Sequence, residues 1–361
     1  MNDRLEILAR LRAALAGVMT VASYEFQDDG SIRLRGTLLL PPDQAYPRLR
    51  PRVEEAGYTP FLREAGPADG GAGRHEVLAV PGVIPREHPN PNVNLILFLA
   101  TVGSVVLTGS LYSESGNLDL GAGLMFAAAL LAVLVTHEMG HYVAGRLRGA
   151  PVSLPYFIPL PVISLFGTLG AVMIQREPFE DRRTLLEVGV AGPLAGFAVA
   201  VPLYVLGLAL SAVKPVPAGD VLYFGDSLLT RALAELIHGP LDPARGYDVF
   251  LHPIGFGAWI GLLITGINLI PAGQLDGGHA AYAILGQRAE VVFWAMIATF
   301  LGLSVFVSSS WMLWTALLFV FGRSHPPALN QASRLDPLHY ALALAALLVL
   351  ILVFVPNPIF T

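Results

Sequence analysis

The chain has 361 residues, of which 54% are hydrophobic and only 14% charged, where soluble domains carry about 25% charged residues. A net charge of −5 without a basic cluster argues against nucleic-acid binding. The lack of cysteine excludes disulfides and thiolate metal sites, so a transition metal would have to use His, Asp or Glu.

The first segment, MNDRLEILARLRAALAG, is charged throughout and has no continuous apolar run of the cleaved-signal kind. Membrane insertion is therefore expected from internal spans. Residues 1–88 read as a small soluble α/β domain. Leu5, Leu8, Leu11 and Leu15 recur at helical spacing and predict an amphipathic first helix. Ile32, Leu34 and Leu38 alternate with Arg33, Arg35 and Thr37, as in a half-buried strand. A short helix is expected around Tyr46 to Ala56, against Pro47 and Pro51, which disfavour it. Tyr58 to Leu62 and His75 to Val80 read as further strands, and Asp69 to Gly73 as a loop tip. Pro81, Pro85, Pro89 and Pro91 mark a linker.

Residues 89–361 read as a polytopic α-helical membrane domain, its catalytic core at about 121–285. A span needs about 20 mostly apolar residues. Candidates lie near 94–112, 121–145, 184–212, 250–272, 290–307, 309–323 and 338–356. The sixth is short and could pair with the fifth, so six to seven spans are expected. Arginines at 146, 148, 176, 182 and 183 follow the second span, whereas loop 113–120 carries Glu114 and Asp119 and no Lys or Arg. The positive-inside rule then puts the N-terminal domain and the far end of the second span in the cytoplasm, with 213–249 outside.

His137-Glu138-Met139-Gly140-His141 has the form H-E-x-x-H. In a helix its two histidines share a face about 6 Å apart along the axis, so both imidazoles can reach one ion. Glu138 then stands beside the ion's open position, where it can take a proton from water. The motif closes the apolar run Leu124 to Thr136, and ionisable groups at membrane depth are functional by default.

Two histidines leave a third protein ligand to be found. The fourth span ends N-L-I-P-A-G-Q-L-D-G-G-H, from Asn268 to His279, and its best-placed carboxylate is Asp276. Pro271 breaks the helix, and Gly277 and Gly278 allow a sharp turn near the ion. Alternatively Asp276 caps a following helix, Gly278 to Leu285. The Asn268 amide either donates to an oxyanion or satisfies backbone groups freed by Pro271. His279 reads as a supporting residue rather than a ligand. His252 opens the span that Asp276 follows, some 36 Å of helix away, and cannot share the ion. His325 and His339 lack a paired ligand pattern.

Together these motifs resemble the site-2 protease family of intramembrane zinc metalloproteases, marked by H-E-x-x-H in one span and a later N-x-x-P…D-G. F-G-T-L-G-A at 166–171 resembles the family's glycine-containing hairpin, and G-P-L-A-G at 192–196 its third-span motif. The soluble front domain and H-P-P at 325–327 resemble the bacterial and plastid branch. Many bacterial relatives carry a PDZ domain between the catalytic spans, and loop 213–249 is too short for one.

The resemblance implies one zinc on His137, His141 and Asp276, with Glu138 as general base. It also implies membrane-protein or membrane-peptide substrates, cleaved in or near their transmembrane segments. Residues 162–176 could form a membrane-associated hairpin that binds unwound substrate by β-addition, with Phe166, Gly167, Thr168, Leu169 and Gly170 as candidate contacts. The Gly192 and Gly196 pair reads as a packing face between spans. The rival reading is a membrane metal transporter or scaffold without peptidase activity. Against it stands Glu138, which metal binding alone would not require.

Overall fold

The computed structural model describes residues 2–66, 75–84, 90–112, 117–162, 164, 166–175, 177–216, 223–240, 246–321 and 326–360. Residues 69–73, Pro85, Pro89, Glu114, Arg176 and His325, invoked above, lie outside them. The chain forms two compact units.

The first unit comprises Met1–His88, Arg176–Leu185 and Pro326–Pro337. Helices α1 (Asn2–Leu15) and α2 (Pro42–Glu55) accompany strands β1 (Met19–Phe26), β2 (Ile32–Leu38), β3 (Tyr58–Glu64) and β4 (His75–Pro81). The sheet is antiparallel in the order β1-β2-β4-β3. Leu8, Leu11 and Leu15 of α1 are buried against Leu34, Leu62 and Val77, whereas Leu5, expected on the same face, is 53% exposed. β1 escaped the sequence reading because its residues, mostly exposed, lack a clean apolar alternation. Helix α2 runs through both Pro47 and Pro51. Each proline costs about 3 kcal/mol inside a helix, while burying a large apolar side chain returns about 1.5–3 kcal/mol. Tyr46, Leu49 and Val53 are buried here with Ala45, and the Tyr46 hydroxyl donates to the Pro60 carbonyl at 2.8 Å. On the outer edge of β3, Leu62 N–H donates to the Leu329 carbonyl and the Leu62 carbonyl accepts from Gln331 N–H. Leu329 and Asn330 in turn donate to Phe179 and Glu180. At Leu62 the outer edge of β3 is thus covered by a segment remote in sequence, which is itself held by residues 179–180.

The second unit is mostly helical. Helix α3 (Pro91–Ser110) starts on Asn90, whose side chain accepts from Asn92 N–H, and α4 (Leu120–Leu147) starts on Asp119, which accepts from Ala122 N–H. Strands β5 (Tyr156–Pro159) and β6 (Thr168–Val172) form an antiparallel pair before α5 (Arg182–Leu210). Then come β7 (Ala212–Pro215), β8 (Tyr223–Phe224), α6 (Leu228–His238) and β9 (Tyr247–Phe250), followed by α7 (Pro253–Asn268), α8 (Asp276–Leu285) and α9 (Ala289–Phe306). The chain ends with α10 (Trp311–Phe321), α11 (Pro337–Val353) and β10 (Ile359–Phe360), which pairs with β8.

Among the described residues, four helical stretches are long and apolar enough to cross a membrane: Pro91–Ser110, Leu120–Leu147, Arg182–Leu210 and Asp276–Phe306. Against the six to seven spans expected, the other apolar helices, α7, α10 and α11, have only 16, 11 and 17 residues. Helix α7 is about 24 Å long and buried along most of its length, which explains why it is apolar on every side. The hairpin differs from its expected position over 162–176. Its first arm is β5, before Pro161, and residues 160–167 make the connection. The Gly167 carbonyl there accepts from Ser104 Oγ at 2.5 Å, which fastens the connection to α3.

Candidate metal centre

His137 and His141 lie one turn apart near the end of α4, and both are buried. Asp276 is the first residue of α8, with Leu275 rather than Asp276 at the N-cap. Its carboxylate turns to the histidines instead. His137 Nε2 lies 3.2 Å and His141 Nε2 3.3 Å from Asp276 Oδ2, and the two Nε2 atoms are 3.2 Å apart. Tetrahedral zinc with N and O ligands at about 2.0–2.1 Å separates neighbouring ligand atoms by about 3.3 Å. The three atoms therefore match one face of such a tetrahedron. Among the described residues this is the cluster of His, Asp and Glu able to hold a metal ion, and Glu138 is not part of it.

The protonation of one ligand follows from its partner. His141 Nδ1 lies 2.7 Å from the Val188 carbonyl, which can only accept. Nδ1 therefore carries the proton, and the Nε2 lone pair is free for an ion. Val188 belongs to α5, and this helix approaches so closely because of two glycines. A Cβ at Gly192 would stand 2.1 Å from His141 Nε2, and one at Gly196 3.1 Å from His137 Cβ. The pair expected only to pack spans together packs directly on the ligands.

The turn from α7 to α8 brings Asp276 back. A Cβ at Gly277 would meet the Leu269 carbonyl at 2.0 Å, and one at Gly278 the Gly273 carbonyl at 2.4 Å, so only glycine fits this reversal. Asn268 ends α7 with Nδ2 at 3.3 Å from His137 Nε2, at the cluster. Glu138 is 6% exposed, and His279 lies against Gly189 of α5. Of the hairpin residues, Thr168 is buried, its hydroxyl donating to the Ile158 carbonyl at 2.9 Å and accepting from Gly170 N–H at 3.0 Å. Leu169 is 66% exposed, while Phe166 is half-buried on the connection. The structure draws His137, His141, Asp276 and Asn268 together and assigns 166–170 to the hairpin. Val188 had no signal in the sequence, since a backbone carbonyl leaves none.

The family model "Peptidase family M50" matches residues 125–308. The chain is similar to "Probable zinc metalloprotease EGY2, chloroplastic" of Arabidopsis thaliana, at 30% identity over 353 residues, covering 91% of this chain and 61% of that protein. It is also similar to "Probable zinc metalloprotease EGY1, chloroplastic" of the same plant, at 30% over 293 residues, covering 73% of this chain and 53% of that protein. The chain thus spans less than two thirds of the length of these relatives. No solved structure matches.

Proposed function

The chain belongs to peptidase family M50, and from that membership we propose that it is an intramembrane zinc metalloprotease hydrolysing peptide bonds in or beside transmembrane segments of membrane-protein substrates. The observation that carries the proposal is the triangle of ligand atoms on His137, His141 and Asp276, with the buried Glu138 beside it and outside it.

His137, His141 and Asp276 would hold the ion and leave the fourth tetrahedral position open. When bound, zinc supplies Lewis acidity, which brings the pKa of water down to about 7 and polarises a peptide carbonyl. Glu138 takes one proton from the attacking water and passes it to the leaving amide nitrogen as the C–N bond breaks. The hydroxyl stays on the carbonyl carbon, so one water is consumed per bond. Asn268 Nδ2 is close enough to the ligands to donate to the developing oxyanion. The hairpin would receive unwound substrate along an unpaired strand edge, with 166–170 as the contacting stretch; the exposed Leu169 supports this reading.

For topology we propose the six to seven crossings expected from the sequence, made by the four long stretches Pro91–Ser110, Leu120–Leu147, Arg182–Leu210 and Asp276–Phe306 with the shorter α7 and α11, the short α10 pairing with α9. Arg146, Arg148, Arg182, Arg183 and Arg334 stand at span ends that the positive-inside rule assigns to the cytoplasm. The bacterial cytoplasmic membrane expected from the sequence has no counterpart among the relatives cited, which are named chloroplastic.

The test uses detergent-purified full chain. Wild type should bind about one zinc and cleave a membrane-anchored reporter, while Glu138→Gln should keep the zinc and lose cleavage. A wild type that binds zinc and cleaves none of a reporter panel would favour the transporter reading.

A further inference from the structure

Glu187 of α5 is surrounded by groups that the chemistry above does not use. Arg148, at the C-terminal end of α4, donates to both carboxylate oxygens of Glu187 from Nε and Nη2. His339, buried near the start of α11, brings Nε2 to 3.0 Å from Glu187 Oε1. The Glu187 side chain is only 15% exposed. The next residue is Val188, whose carbonyl receives the His141 Nδ1 proton. Helices α4 and α5 are thus cross-tied twice, once through His141 to Val188 and once through Arg148 to Glu187. The second tie also engages α11.

A bidentate arginine–carboxylate pair fixes direction as well as distance. It therefore sets the rotation and height of the α5 turn that presents the Val188 carbonyl. Because that carbonyl orients the imidazole, a small displacement of the turn swings Nε2 away from the point shared with His137 and Asp276.

We propose that Glu187 is a positioning residue of the metal centre, clamped by Arg148 and His339 so that Val188 holds His141 in its ligating orientation. This rests on the reading of His137, His141 and Asp276 as zinc ligands. Loss of an outer partner of a ligating histidine typically weakens metal binding 10–100-fold.

The experiment is zinc titration of detergent-purified full chain against a chelator, together with the visible absorption bands of the cobalt-substituted protein. Glu187→Ala should raise the zinc Kd about 10–100-fold and shift the cobalt bands. Glu187→Gln, which keeps an oxygen for Arg148, should lose less. A well-folded Glu187→Ala with wild-type affinity and unshifted bands overturns the proposal. Should that variant fail to fold, Arg148→Gln decides, since the Arg148 side chain is 47% exposed. A shifted cobalt spectrum and weakened zinc in it support the clamp, and wild-type values overturn it. If wild type itself takes up no zinc, the ligand reading fails and the clamp falls with it, an outcome plainly different from a defect confined to the variants.

Discussion

Replacing Gly192 by alanine tests whether helix packing sets the ligand geometry. The added Cβ would stand 2.1 Å from His141 Nε2, 2.3 Å from Cδ2 and 2.5 Å from Cε1. Ordinary contact begins at 3.4 Å, so the ring or the helix must yield by about 1.3 Å. The ring cannot move that far while keeping its 2.7 Å bond to the Val188 carbonyl. Backing α5 away from α4 instead would stretch that same bond and the Arg148–Glu187 pair that ties the two helices. Metal sites tolerate about 0.2 Å in ligand distance. Gly192→Ala should therefore weaken zinc by about 100-fold or more, with an overpacking cost of about 1–3 kcal/mol in stability. Gly196→Ala is the control. Its nearest atoms would be His137 Cβ at 3.1 Å and Nδ1 at 3.3 Å, a misfit of a few tenths of an ångström, so most of the affinity should remain. Mass spectrometry of bound metal, chelator competition and thermal melting of the zinc-free proteins provide the readouts. A Gly192→Ala protein that holds one zinc as tightly as wild type would refute the packing argument.

Further outcomes are expected. Asp276→Ala and His137→Ala should each lose the zinc seen in wild type, measured as metal per chain; retention in both would remove the site. Thr168→Val deprives Gly170 N–H and the Ile158 carbonyl of a buried partner, a cost of about 1–3 kcal/mol. Cleavage of a reporter should fall while metal content holds, and an unchanged rate would separate the hairpin from substrate handling. Tyr46→Phe removes a buried hydrogen bond to Pro60 and should lower stability by about 1 kcal/mol, read from the melting temperature. Burial holds the His75 imidazole below its ordinary value of 6.5. The unfolded chain then takes up a proton first, so stability should drop as pH falls through 6.5, and His75→Phe should flatten that slope.

Much of the membrane unit was legible because a span is a local property. The apolar run closing at His137 predicted 121–145, and α4 covers Leu120–Leu147, starting where Asp119 caps it. The motifs were legible for the same reason: one helical turn sets His137 against His141, and a proline followed by two glycines announces the reversal at Asp276. What stayed hidden was long-range or carried by backbone. Glu187 looks like an ordinary helix residue until Arg148 and His339 arrive from other helices. The first arm of the hairpin, Tyr156–Pro159, is four residues long among prolines, too short for a pattern. Helix α2 defied its prolines because Tyr46, Leu49 and Val53 had a core to enter, which no window of sequence reveals.

The covered edge of β3 has a consequence for biosynthesis. Leu329, fully buried in the core of the first unit, is made 241 residues after His88. At about 5–20 residues per second, the ribosome needs tens of seconds to supply it. Until then Leu62 presents bare backbone to its surroundings, the kind of edge on which chains aggregate. Completion of this unit must therefore wait until the intervening helices have been synthesised, although its first 88 residues are among the earliest made.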